Sequence, residues 1–416
     1  MATVAPADAL AGWAAALDPS AGDLALARRS LLDTVAVMWA ARRHPLCRVF
    51  GRLSEPGRLA ALAHVLDYDD LHLASTTHIS AVCVPVALSC GSDGEIAARA
   101  YLAGAGVMAR VGVALGWRHY KAGWHATCTA GAFGAAVTAS IARGLDARRT
   151  AVAMALAVPA AGGVQRSFGT AAKSLQVGFA AEAGVRAAAL AQAGASADVR
   201  AFEDWIELVG GDASGLVGGD PPTLDRSVTQ SASAVPGGLA IKLFPCCYAL
   251  QRPLAATAEL GLEPPASVRI RAITVTTPAS SLAPLIHHRP RTGLEGKFSL
   301  EYGIAAALLD GRPGLDSFTD EAVRRPEAVR LGEVVEIVAT ASGEDLLAGE
   351  VEIEVTLADG GGLSTRLELP PGAPGRPPTD DELRTKLELC AGGEAERIAA
   401  LSWETAAGYA HDRFMA

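Results

Sequence analysis

A chain of 416 residues is longer than one ordinary hydrophobic core supports, so two domains are expected. Half of its residues are apolar and only 5% are aromatic, a balance rich in Ala and Gly that favours closely packed helices over an aromatic-rich β-sandwich. The net charge of −9 excludes a broad basic surface for nucleic acid, while a few focused cations in a pocket still suit a small anion.

The seven cysteines (Cys47, Cys83, Cys90, Cys128, Cys246, Cys247, Cys390) are odd in number and follow no framework spacing, which fits a reducing cytoplasm. Met1 to Gly22 lacks the basic-then-apolar pattern of a signal peptide. The longest apolar runs are broken by Gly, Thr or Pro before membrane-spanning length, so no membrane segment is expected.

From Asp23, the residues Leu24, Ala27, Leu31, Thr34, Val35 and Met38 recur at helical spacing, with Arg28 and Arg29 on the opposite face. A second helix opens at Pro56 and runs through Leu66 into Asp67-Tyr68-Asp69-Asp70-Leu71-His72, a polar stretch that continues to His78. Three carboxylates and two imidazoles there precede the apolar segment Val82 to Leu88, and polar groups held beside a core need partners or a chemical task. His72 and His78 are six apart, off one helical face, so no two-histidine metal motif is expected.

Ser92 and Asp93 precede a helix with Ile96, Ala100, Ala103, Val107 and Val111 on one side, and Gly104, Gly106 and Gly112 mark close backbone approach along it. Gly123-Trp124-His125-Ala126-Thr127-Cys128-Thr129 then enters a helix of small residues. Thr127 and Thr129 can cap it, so that an anion and His125 would share one positive helix end; the plainer alternative is a capped helix with a histidine at its entry. A histidine there suits proton transfer near neutral pH. Gly144 ends this helix, and Thr150 is expected to cap the next, Ala151 to Val158.

The helix from Ala171 to Gln192 carries Lys173 among small apolar residues, where it either reaches out to water or points into a cleft as a carboxylate clamp. Periodicity is lost between Gly194 and Pro236, apart from a short helix around Trp205 to Val209. Ile241-Lys242-Leu243-Phe244-Pro245-Cys246-Cys247-Tyr248 leads into a helix expected over Pro253 to Leu262. Adjacent cysteines without a Cys-x-x-Cys partner give no zinc or iron–sulfur site.

At Glu263-Pro264-Pro265 the character changes. Val268 to Val275 and Val334 to Val338 read as strands, and alternating residues on either side of Asp359-Gly360-Gly361-Gly362 form a hairpin with one wet face. Lys297-Phe298-Ser299 begins a helix in the same region, which makes an α+β unit. Pro370 to Pro378 is a stiff connector, after which Thr379 caps a last helical stretch that is expected to rejoin the first domain. The domains therefore read as 1–264, all-α; 265–378, α+β; and 379–416, a C-terminal helical segment, with the pocket between the first two as the default site.

Five of these stretches, taken in order, resemble the MmgE/PrpD family over nearly the whole chain. They are Asp67-Tyr68-Asp69-Asp70 with His78, Gly123-Trp124-His125 before a Gly/Ala helix, Lys173 before Leu175 and Gly178, Lys242 before Phe244-Pro245, and Lys297-Phe298-Ser299. That family includes 2-methylcitrate dehydratases, cis-aconitate decarboxylases and iminodisuccinate epimerases. The resemblance implies a mainly α protein, with a large all-α helical domain and a smaller α+β lid domain. It also implies a homodimer and chemistry on small di- or tricarboxylates with no cofactor and no metal. By motif position Asp67, His78, His125, Lys173 and Lys242 fall where the family places its active-site residues. Asp70, His72, Thr127, Cys247 and Lys297 are the expected substrate contacts.

Such a set is chemically coherent, because lysines bind carboxylates while a histidine or carboxylate moves a proton on the adjacent carbon. Loss of hydroxide from the resulting intermediate makes a dehydratase, reprotonation on the other face an epimerase, and loss of CO₂ a decarboxylase. Three departures bear on that choice. Cys247 stands where decarboxylase-like members carry a histidine, Leu71 where a threonine often follows the Asp-Asp pair, and Gly104-Ala105-Gly106 where many members have Gly-Tyr-Glu. These departures count against cis-aconitate decarboxylation. The leading expectation is a cytoplasmic lyase of dehydratase type, with an epimerase or isomerase as the alternative enzyme and a polycarboxylate-binding protein without turnover as the non-enzyme reading.

Overall fold

The computed structural model describes residues 4–91, 93–216, 233–262, 270–341 and 343–415. Ser92, the Glu263-Pro264-Pro265 break, the head of the first expected strand at Val268 and Arg269, and 217–232 of the aperiodic stretch lie outside the described residues. What is described is mainly helical, and its apolar side chains gather into two cores.

The first core is built on small residues. The helix Ala126–Ala142 is buried from Ala126 to Ile141 and packs between the helices Gly94–Lys121 and Ala171–Gln192. Ala and Gly on these faces let the backbones approach closely. A Cβ at Gly104 would lie 2.6 Å from the carbonyl oxygen of Gly134, and one at Gly106 would lie 2.4 Å from that of Ala234. The glycines along Gly94–Lys121 thus mark close contacts, as their spacing implies. By length and composition this helix is long and apolar enough to cross a membrane, but 72% of its apolar window is buried against its neighbours, as in a core helix.

The second core lies under a four-stranded sheet in the order β2-β1-β3-β4, comprising β1 (Ile270–Pro278), β2 (Val335–Thr340), β3 (Val351–Leu357) and β4 (Gly362–Leu367). β1 runs parallel to β2, pairing Ile273 with Val335, and antiparallel to β3, pairing Ile273 with Val355. A parallel pair needs a crossover, and the helices Leu300–Asp310 and Pro326–Glu333 lie within it. Val351, Ile353 and Val355 are buried while Glu352 and Glu354 face outward, the alternation read from the sequence.

The chain changes core near residue 240, earlier than its composition changes. The helix Tyr248–Glu259 packs on Leu300–Asp310 and on β3 and β4. It starts five residues before Pro253, which sits inside it. The connector is tied back to the same region, since the Ile241 N–H donates to the Gly372 carbonyl at 2.9 Å. Thr379 and Glu382 then form a capping box on Asp380–Ala391, and Cys390, Ile398, Trp403, Tyr409 and Phe414 return to the first core.

Several local expectations are corrected. Leu24 and Ile96 are exposed rather than in their buried stripes. Asp146, not Thr150, caps the helix Ala147–Ala157, because its carboxylate reaches the Arg149 N–H. Lys297 does not begin a helix; it ends the short turn Gly293–Gly296, and Ser299 caps Leu300–Asp310.

Candidate active site

The helix Glu55–Val65 gives way at Leu66, and Asp67 takes the left-handed backbone (φ +52°) in the place where glycine commonly ends a helix. That conformation costs a non-glycine residue on the order of 1–2 kcal/mol. Its side chain offsets the cost. Lys242 Nζ donates to Asp67 Oδ1 and, at 2.9 Å, to the Asp67 carbonyl, while Lys173 Nζ lies 3.3 Å from Oδ2. Burial alone would raise the Asp67 pKa, but the two ammonium groups outweigh it and hold the carboxyl far below its usual range. Burial opposes the charge of Lys242 as well, yet Asp67 and Asp69 hold that lysine above its ordinary value.

Two residues on, Asp69 serves a pair of imidazoles. Its Oδ2 accepts from His64 Nδ1 at 2.7 Å, which puts that ring's proton on Nδ1, and lies 3.0 Å from His78 Nδ1 as a close contact without hydrogen-bond alignment. The far nitrogen of His64 is then an acceptor, and each ring's Nε2 has its own neighbour. For His64 it meets Lys173 Nζ at 2.5 Å; for His78 it lies 3.9 Å from Asp67 Oδ1 at the cavity wall. Burial keeps both rings neutral and brings His78 down to about 4 despite the neighbouring Asp69.

His125 occupies the cap position of the helix Ala126–Ala142. Its Nδ1 faces Gln176 Oε1 at 3.2 Å and Cys128 Sγ at 3.1 Å. The Gln176 amide is fixed from both ends, its oxygen accepting from the Val164 N–H and its nitrogen donating to Ser167 Oγ. His125 Nδ1 is therefore the donor, and its buried Nε2 has no hydrogen-bond partner among the described residues. Burial, then the charge of Lys173, holds this ring well below the ordinary histidine value. Neither expected threonine caps the helix. Thr127 Oγ1 accepts from the His78 N–H at 3.1 Å, and Thr129 Oγ1 donates to the Ala126 carbonyl.

These groups converge on a small cavity whose wall includes Asp67, His78, His125, Thr127, Lys173 and Cys247. Phe168 and Phe298 form its apolar side, with the Lys173 ammonium 5.4 and 5.3 Å from their ring centres. A smaller space beside it is shared by Asp67, Lys173 and Lys297. Lys297 Nζ donates to the carbonyls of Leu66 and Pro245 at 2.9 and 2.5 Å, and burial lowers its pKa to about 8. Three buried ammonium groups thus stand against the carboxylates of Asp67 and Asp69, which leaves the region positive and suited to an anion.

Of the expected substrate contacts, Lys297 lines only the smaller space and two others line neither; the expected catalytic Lys242 is fully buried behind Asp67 and lines neither as well. Asp70 accepts from the N–H and the hydroxyl of Ser80 at the start of the helix Ser80–Ser89, and Ser80 in turn meets Tyr101. His72 spends both ring nitrogens inside the fold, on Ser75 Oγ and on the Pro236 carbonyl, each at 2.7 Å. Cys247 does line the cavity, as a neutral thiol pushed up to about 12 by burial and by Asp67. Conversely, His64 and Gln176 carry structural weight that the sequence reading did not assign. The one available signal was their spacing, since Gln176 follows Lys173 by less than a helical turn and His64 precedes Asp67 by the same interval.

The ligand-capable atoms of His64, Asp69 and His78 lie within 4.8 Å of one another. They are already joined by protons. Asp69 receives the Nδ1–H of His64, and the Lys173 ammonium meets that ring's other nitrogen, so Asp69, His64 and Lys173 form a hydrogen-bonded chain.

The chain is thus an α-rich protein in which a helical core is joined to a small mixed sheet, with buried cations and neutral imidazoles about one cavity. Comparison with known families makes this particular. The MmgE/PrpD N-terminal domain matches residues 58–208 and the MmgE/PrpD C-terminal domain residues 244–405, and the chain belongs to the MmgE/PrpD family. Among its relatives, the cis-aconitate decarboxylase of Aspergillus terreus is 26% identical over 400 residues, covering 83% of this chain and 80% of that protein. The human cis-aconitate decarboxylase is 26% identical over 293 residues, covering 68% of this chain and 58% of that protein.

Proposed function

We propose that this protein is a cofactor-independent lyase, similar to a 2-methylcitrate dehydratase, that removes a proton α to a carboxylate of a small di- or tricarboxylate. The observation that carries the reading is the pairing of opposite chemistries at one cavity. His78 and His125 are neutral imidazoles on its wall, Lys173 beside them is an ammonium group paired with Asp67, and Lys242 grips Asp67 from outside the cavity. In this reading an imidazole Nε2 takes the α proton, and the electron pair moves onto the substrate carboxylate. Charge develops there next to the Lys173 ammonium, which is in place beforehand and needs no reorganisation. Expulsion of a β-hydroxyl, with a proton returned by an imidazolium, completes a dehydration with atoms and charge balanced.

Epimerisation is the second reading, and Cys247 favours it. A neutral thiol at that wall is a poor acid for a leaving hydroxide, whereas His78 and His125 on separate elements can deprotonate and reprotonate one carbon. The names of the relatives add CO₂ loss as a further outcome to be measured.

Proton NMR in heavy water, with chelator present, tests all three. Citrate, 2-methylcitrate, cis-aconitate, malate and an iminodisuccinate-type amino acid are offered separately. Elimination from one of them supports the lyase; deuterium entry without net elimination supports the epimerase; loss of a carboxylate supports decarboxylation. If all five are inert but one raises the melting temperature, the anion pocket is retained, and either the substrate lies outside this panel or the protein binds polycarboxylates without turnover.

A further inference from the structure

We propose that His64, oriented by Asp69, is a positioning residue that holds the Lys173 ammonium in place at the cavity edge. The argument begins with an accounting of donors and acceptors. A lysine ammonium has three N–H donors and no acceptor. Asp67 Oδ2 serves Lys173 at 3.3 Å, but Asp67 is shared, because Lys242 holds its other oxygen and its carbonyl. The shorter contact of Lys173 is the one to His64 Nε2, at 2.5 Å.

That contact works only if His64 Nε2 carries no proton. Asp69 Oδ2, 2.7 Å from Nδ1, draws the ring proton to the opposite nitrogen and leaves Nε2 as an acceptor. The His64 side chain is fully buried at the end of the helix Glu55–Val65, where an apolar residue would otherwise be the economical choice. It lines the smaller space beside the cavity and not the cavity itself, so its effect on a bound anion runs through Lys173. With His64 gone, two ammonium groups would compete for one buried carboxylate, and Lys173 would lose its nearest acceptor. Asp69 thereby turns His64 toward the lysine, while the same oxygen lies 3.0 Å from His78 Nδ1.

The kinetic part of this inference rests on the proposed function, so the test pairs it with a measurement that needs no turnover. Long-range proton–nitrogen NMR of the full chain reports the tautomer of each of its nine histidines, and the signals lost in His64→Gln identify His64. The expected result is a proton on Nδ1 and an Nε2 resonance that moves in Lys173→Met. A proton on Nε2, or no movement, overturns the proposal. In kinetics, His64→Leu is expected to lose between about 10- and 100-fold in kcat/KM, the worth of one hydrogen bond to a charged group. His64→Gln, which retains an acceptor, recovers most of it. The double variant His64→Leu/Lys173→Met is expected to be no worse than Lys173→Met alone; losses that multiply overturn the proposal. If the wild type turns over no substrate, the lyase reading fails while the NMR result still decides the role of His64.

Discussion

Lys386 Nζ donates to the carbonyl of Tyr68 at 2.9 Å, from a helix 318 residues further along the chain. The same ammonium pairs with Asp33 Oδ1 at 2.6 Å and lies 4.3 Å from the centre of the Tyr68 ring. Tyr68 is the neighbour of Asp67, whose left-handed backbone must be held for its carboxylate to reach both lysines. The C-terminal segment thus braces the strained turn from behind, through a buried ion pair that never touches the cavity.

Removing one partner of that pair is expected to be costly. Lys386→Met leaves Asp33, pushed up by burial, without its counter-charge, and a loss of about 3–5 kcal/mol in unfolding free energy is expected. Replacing both, as Asp33→Leu/Lys386→Met, is expected to recover much of the stability but not the grip on the Tyr68 carbonyl. Denaturant unfolding measures the first effect and turnover of the double variant the second. A double variant as unstable as Lys386→Met would show that the ion pair is not the source of the loss.

Asp67→Asn keeps the shape of the side chain and removes its charge. Lys173 and Lys242 would then be buried beside a neutral amide, without the counter-charge that now holds them. Turnover is expected to fall by about 100-fold or more, the scale of losing an electrostatic group at a reacting centre. Asp67→Gly relieves the backbone but leaves the same two ammonium groups without a counter-charge, so it is expected to be equally inactive and less stable than the wild type. Activity in Asp67→Gly near the wild-type level would remove Asp67 from the proposed site.

Gln176 offers a separate handle on His125. Gln176→Met deletes the acceptor that keeps the ring proton on Nδ1, freeing the imidazole to place it on Nε2, where a base cannot accept another. A drop of about 10-fold or more in kcat with little change in KM is expected, since the ring stays in place while its useful tautomer is diluted. A KM effect alone would assign Gln176 to packing between Val164 and Ser167.

Much of this site was legible because the family motifs are local. Lys173 near the start of a small-residue helix, Lys242 before Phe244-Pro245 and the Asp67 turn could be named by their resemblance to the family's motifs, and the alternation of β3 announced its wet and dry faces. What escaped is set by partners distant in sequence. Thr127 lies two residues beyond the cap position held by His125, and its hydroxyl is taken by the His78 backbone 49 residues away. Asp70 and His72 share a loop with Asp67 but turn inward, toward Ser80 and Pro236, and no periodicity in a loop says which way a side chain turns. The parallel pairing of β1 with β2 likewise depends on a crossover that no strand pattern encodes.

The inward turn of Asp70 has a consequence that pH reveals. Burial raises its pKa from 3.8 to about 7, so between those values the folded state binds a proton that the unfolded chain does not. Stability from this group is fully present below pH 3.8 and is lost as pH rises through 7. His72 and His78 act in the opposite sense. Burial lowers each from 6.5 to about 4, so their contribution is present above pH 6.5 and is lost as pH falls through 4. Each histidine is worth at most about 3 kcal/mol over that window, and the two together outweigh Asp70, so the melting temperature is expected to fall on acidification. Asp70→Asn retains an acceptor for the Ser80 N–H but cannot ionise. Relative to the wild type it is expected to be more favourable at pH 8 than at pH 5, and its acid-side decline is expected to be steeper, because the opposing carboxyl is gone. Thermal melts across pH 4 to 8 measure both slopes. Parallel curves for the two proteins would mean that Asp70 is already ionised throughout and that its bonds to Ser80 outweigh burial.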